Sequence, residues 1–137
     1  MRIIFDNNIW ISLLIGKRLT ALRSLFERAD VEVFFCDELE QEFLDVAYRP
    51  KIRKYVSEEQ IERVHQQMTA CCLRVKVAVR KVPPVRDPKD VYLLALSETV
   101  GADYLVSGDS DLTVMGQWGP TVIVNFNQFS SLFGLDE

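Results

Sequence analysis

Apolar residues along this chain come in short blocks that end abruptly on polar ones. "RIIF", residues 2–5, stops at Asp6, and such a run predicts a short buried strand. From about Ile9 the spacing turns helical, breaks near Gly16 and resumes through "LTALRSLFERA". "VEVFF", residues 31–35, alternates and then becomes fully apolar, which predicts a second buried strand. Asp37 is placed to cap a helix over residues 38–47, with Glu40 as its capping-box partner and Arg49-Pro50 as its end. "SEEQ", Ser57 to Gln60, is a second capping box and opens a helix to about Leu73. "VKVAV" alternates weakly between basic neighbours and the "VPPV" turn. Asp87-Pro88 reads as a cap followed by proline at the first helical position, opening a helix that runs to about Val100 and stops at Gly101. "DYLVS" and "TVIVN" read as strands, and "QFSSLF" as a closing helix.

Strands alternating with helices predict an α/β fold, a mostly parallel sheet covered on both faces. Repeats, low-complexity stretches and internal linkers are absent, so the chain reads as one domain over residues 1–137. Sheets of this kind bind ligands at the carboxyl ends of their strands. Asp6 ends the first strand, and Asp109 and Asp111, in "VSGDSDL", lie at or just past the end of another.

Composition narrows the picture. Hydrophobic residues make up 48% and charged residues 26%, as in a soluble globular protein. The run Val91 to Leu96 is far too short for a bilayer span, and the N-terminus meets a charge at once, unlike a signal peptide. Cys36, Cys71 and Cys72 have neither zinc spacing nor a disulfide plan and read as core filler, which fits a reducing, cytoplasmic setting. A net charge of −4 argues against gripping nucleic acid by bulk electrostatics, although bound cations would invert the local field. Basic residues cluster in "RPKIRK", residues 49–54, and "RVKVAVRK", residues 74–81. These clusters read either as solvated surface or as phosphate contacts.

The acids carry the candidate chemistry. Asp6 is either a turn acid or, with Asn8 serving as the helix cap, free for other work. Asp87 reads as a cap, and Asp90 as either its reciprocal capping acid or a first-turn carboxylate facing the strand ends. On the helix over residues 38–47, Leu39, Phe43, Val46 and Ala47 form the buried arc, with Glu42 on its border and Glu40 within it. Helix geometry does not choose between the two glutamates. Two carboxylates about 5 Å apart repel by roughly 3 kcal/mol at an effective dielectric near 20, so such a rim needs protons or cations. An all-oxygen set suits Mg²⁺ or Mn²⁺. Competing chemistries are scarce: His65, the single histidine, sits mid-helix on a polar stretch, and no G-x-S-x-G, Walker loop or G-x-G-x-x-G is present.

In order along the chain, "RIIFDNNIW", "LEQEFLDVAYRPK", "VRDPKDVYLLALSETVGADYLVSGDSDL" and "TVIVNFNQFSSLF" resemble the PIN-domain nucleases. The nearest likeness is to the subgroup described as toxins of toxin–antitoxin pairs. The resemblance implies a three-layer α/β/α fold and a Mg²⁺- or Mn²⁺-dependent endoribonuclease. It matches Asp6, Glu42, Asp90 and Asp109 to the family's catalytic, metal-holding acids, with Asn8, Ser107 and Asp111 in support. It also implies an RNA substrate, an antitoxin protein partner and a homodimer, with no membrane. Asn7 departs from the family's usual threonine without removing a ligand.

The main alternative is an inactive PIN-like module that binds RNA or protein. A haloacid-dehalogenase-like phosphatase fits less well, because it needs a D-x-D at the first strand and Asn8 stands at the third position. A phosphate-accepting receiver domain lacks its paired acids at the first strand.

Overall fold

The computed structural model describes residues 1–16, 19–78 and 88–134, without the side chains of residues 19–22, 88 and 89. In chain order the elements are β1 (Arg2–Phe5), α1 (Asn7–Gly16), α2 (Leu19–Phe26), β2 (Glu32–Phe35), α3 (Asp37–Ala47), α4 (Pro50–Arg53) and α5 (Glu58–Cys71). They continue as β3 (Leu73–Arg74), α6 (Pro88–Val100), β4 (Tyr104–Val106), α7 (Ser110–Thr113), β5 (Gln117–Trp118), β6 (Thr121–Val124) and α8 (Phe126–Phe133).

The strands form one sheet in the order β3-β2-β1-β4-β6-β5. All neighbours run parallel except the short β5, which pairs antiparallel with β6. The fold is the expected three-layer α/β/α arrangement. Strand β1 lies between β2 and β4, with Ile4 opposite both Phe34 and Leu105. Its residues Ile3, Ile4 and Phe5 are all completely buried. A strand covered on both faces cannot alternate with polar residues, which explains the continuous apolar run.

Two helices are also buried over most of their circumference. In α1 these are Ile9, Trp10, Ile11, Leu13 and Leu14, and in α6 Leu93 to Ser97. Phe5 joins the layers through edge-on contacts to Trp10 of α1 and Phe129 of α8, with ring centres 5.8 and 5.4 Å away. Among the described residues no helix is long and apolar enough to cross a membrane.

Several local expectations change. Helix α1 begins at Asn7 instead of near Ile9, so Asn8 is helical and does not cap it. Helix α3 begins at Asp37 itself: Cys36 holds the cap position and supplies no side-chain bond. Glu40 is no capping acid, because its carboxylate is drawn to Arg74 of β3 at 2.8 Å and His65 of α5 at 2.8 Å. His65 is thereby tied into a contact between α5 and α3. The Ser57–Gln60 capping box is present, although α5 stops at Cys71. Strand β3 precedes "VKVAV" and involves none of it. "VPPV" and the Asp87 cap lie outside the described residues. Cys36 and Cys72 are buried and Cys71 is exposed, all free thiols.

Candidate active site

Strand β1 delivers Asp6 to the carboxyl edge of the sheet. Its backbone N–H still bonds the Val106 carbonyl of β4 at 2.9 Å, while its own carbonyl accepts from Ile9 and Trp10 as α1 begins. The carboxylate is therefore clamped between a strand end and a helix start, and it is 5% exposed. Two side chains donate to the same oxygen, Oδ2: the Ser107 hydroxyl at 2.7 Å and the Asn8 amide at 3.4 Å.

These contacts continue into the segment after β4. Asn8 Oδ1 accepts from the Gly108 N–H at 3.0 Å, and Ser107 Oγ accepts from the Asp109 N–H at 3.0 Å. Ser107 is itself fixed to β6 through its N–H bond to the Val124 carbonyl. Asp109 Oδ1 in turn accepts from the Asp111 N–H at 2.9 Å, capping the short α7. So "VSGDSDL" holds a helix start that the hydrophobic pattern does not reveal, and one of its aspartates is that helix's cap.

Electrostatics links a third element to this rim. Burial, opposed by the bonds from Ser107 and the Asn7 backbone, pushes the Asp6 carboxyl from 3.8 up to about 6, and the charges of Glu42 and Asp109 add to the rise. Glu42 comes from α3, half-buried on the arc's border. Tyr92 of α6 was absent from the sequence-derived set. Burial raises its hydroxyl far above the usual tyrosine range, and the carboxylates of Glu42 and Asp6 raise it further. The hydroxyl faces Glu42 closely but completes no hydrogen bond at ordinary distance. Its only sequence signal was two-residue spacing from Asp90, too little to distinguish it from core.

Glu42 and Tyr92 line a surface groove of about 760 Å³ together with Asp37, Glu38, Gln41, Asp45, Val46 and Arg49. Asp90 is 4% exposed in the first turn of α6, two residues before Tyr92. Glu40, the competing glutamate of α3, faces away from the groove's lining into its bonds with Arg74 and His65, and Arg74 above all holds its carboxylate below the usual range. Asn7 is buried in the first turn of α1, with an Oδ1 that finds no partner. From their place beside Asp87 and Asp90 in the sequence, Arg86 and Lys89 are candidates for phosphate contact or plain surface charge. Arg86 and the Lys89 side chain lie outside the described residues.

The profile of the PIN domain matches residues 2–111, from β1 into α7. The chain belongs to the PIN-domain family. No curated protein matches it. Family membership makes this a nuclease-type domain and sets aside the phosphatase and receiver readings. PIN domains use divalent metals as a rule, so the donors of this one bear testing against such an ion. Among the described residues no three His, Cys, Asp or Glu side chains are already gathered as a metal cage. The donor chemistry nevertheless fits a hard cation: Asp6, Glu42 and Asp109 offer oxygen only, and their mutual repulsion at a buried carboxyl is what a cation relieves.

Proposed function

We propose that this PIN domain is a divalent-metal-dependent endoribonuclease whose site is the rim at Asp6. The observation that carries the reading is a buried carboxylate at a strand end, raised to about 6 and facing the charges of two further acids. A domain gains no stability from such an arrangement (like charges near a buried carboxyl oppose folding), so its use lies in what it binds.

In this reading Asp6, Glu42, Asp90 and Asp109 hold Mg²⁺ or Mn²⁺. The ion, when bound, supplies Lewis-acid polarisation of the RNA phosphodiester and a more acidic water. The chain's own residues do the positioning. Ser107 and Asn8 fix Oδ2 of Asp6, so the carboxylate presents one orientation. Ser107 also orders the Asp109 backbone, and the Asp111 N–H orients the Asp109 carboxylate. A toxin role, an antitoxin partner and a homodimer complete the proposal, supported by the sequence resemblance, and a cytoplasmic setting is supported by cysteines without a disulfide plan.

The test is incubation of structured and single-stranded RNAs with Mn²⁺, Mg²⁺ or EDTA, using wild type and Asp6→Asn side by side. Cleavage should require metal and fall at least about a hundredfold in the variant, more than the loss of an outer-sphere partner causes. Equal turnover by the variant would refute the site. RNA bound but left intact under every metal would favour the inactive binding module.

A further inference from the structure

The stretch "YRPKIRKYV", residues 48–56, holds Arg49, Lys51, Arg53 and Lys54 and no acid, in a chain whose net charge is −4. Its fold explains why these charges all face outward. Ile52 and Val56 are buried and anchor the short α4, and between them every other side chain is exposed. Tyr48 and Tyr55 are 40% and 67% exposed, unusually open for aromatic residues. The Arg53 guanidinium lies 5.9 Å from the centre of the Tyr48 ring.

Elsewhere Arg28 is neutralised by Asp30, Arg63 by Glu59, and Arg74 by Asp37 and Glu40. Exposed Arg2, Arg23 and Lys76 form no ion pair among the described residues, and the strip differs in carrying four cations between Arg49 and Lys54. Among the described residues none of the four cations of this strip has an ion pair. Even Asp45, on the helical turn before Arg49, is bonded instead by Gln41 at 2.9 Å. The strip is also continuous with the site, because Arg49 lines the same groove as Glu42 and Tyr92. From Glu42 to Ala47, where α3 ends, the helical rise amounts to about 7.5 Å, and Arg49 follows two residues later.

We propose that this strip, from Tyr48 to Tyr55, is the docking surface for a single-stranded RNA that enters the rim past Arg49. The proposal rests on the nuclease reading for its substrate class. Cations without acidic partners recruit phosphates by releasing their counterions. Exposed tyrosines give unpaired bases a face on which to stack, and a duplex hides those faces. Glu38, at the opposite end of α3, repels phosphate, so the strand approaches from the α4 side.

The experiment measures fluorescence anisotropy of a labelled, unstructured, mixed-sequence RNA in EDTA at several salt concentrations. Wild type, the triple variant Lys51→Ala/Arg53→Ala/Lys54→Ala and Tyr55→Ala are compared, with circular dichroism to verify the fold. Loss of three cations should weaken binding more than tenfold at low salt and flatten the log–log salt slope by about 2. Loss of Tyr55 should weaken binding roughly tenfold with the slope unchanged. Wild-type affinity in the triple variant would overturn the proposal, as would equal binding of duplex RNA or preference for a labelled polyglutamate peptide. RNA that is cleaved normally by the strip variants would remove the strip and leave the nuclease reading standing. RNA held through the strip but never cleaved would do the reverse.

Discussion

Replacing Asp6 by asparagine should make the metal-free protein more stable at neutral pH, even as it removes activity. The Asp6 carboxyl titrates near 3.8 in an open chain and about 6 in the fold, with burial as the largest cause. Between those values the folded state binds a proton that the unfolded state has released. Stability therefore falls as pH rises through that window and stays low above it. A shift of about two units at about 1.4 kcal/mol each puts the penalty near 3 kcal/mol above pH 6. Asparagine keeps the shape and an oxygen for Ser107 but leaves part of its amide without an acceptor, so the net gain should be about 1–2 kcal/mol. For a chain of this size that is a rise in melting temperature of about 3–8 °C. The assay is thermal unfolding of both proteins in EDTA from pH 4 to pH 8. The gain should be present at pH 7–8, vanish as pH falls to about 5 and become a small loss near pH 4, where the folded wild type is protonated and its unfolded chain only partly so. Mn²⁺ should then raise the melting temperature of wild type and not of the variant. A variant no more stable than wild type at pH 8, or a gain independent of pH, would refute the reasoning.

Two further substitutions test the neighbours of that carboxylate. Ser107→Ala removes a fully buried hydroxyl that donates to Asp6 and accepts from the Asp109 N–H; it should cost about 1–3 kcal/mol in denaturant unfolding and weaken Mn²⁺ binding measured by calorimetry. Tyr92→Phe deletes a buried hydroxyl that completes no ordinary hydrogen bond, so unfolding in urea should show a stability within about 1 kcal/mol of wild type, or above it. A loss larger than that would mean the hydroxyl is bonded to Glu42 in solution.

Much of this architecture was legible because its signals are local. After Arg2 and Glu32, "RIIF" and "VEVFF" are apolar on both faces, and only a central strand of a covered sheet needs that. "SEEQ" caps its helix by bonds that span three residues. The placing of Asp6 at a strand end follows from where the apolar run stops. The errors lie where a short-range pattern met a competing long-range partner. Asp37 and Glu40 have capping-box spacing, yet Arg74 and His65, distant in sequence, take the Glu40 carboxylate.

By itself, then, the sequence determined the order of the longer strands and helices, the mostly parallel sheet and the rim on which Asp6 and Asp109 stand, but not the short β3, α4, α7 and β5. Burial of apolar runs and periodicity act over a few residues and leave a readable trace. Tertiary structure alone decided how those acids are held and charged. Ser107 reaches Asp6 across 101 positions of sequence, Tyr92 meets Glu42 only when α6 and α3 close on one groove, and the rise in the Asp6 pKa comes from water excluded by the whole fold. Desolvation and repulsion depend on distances through space, and no spacing along the chain encodes them.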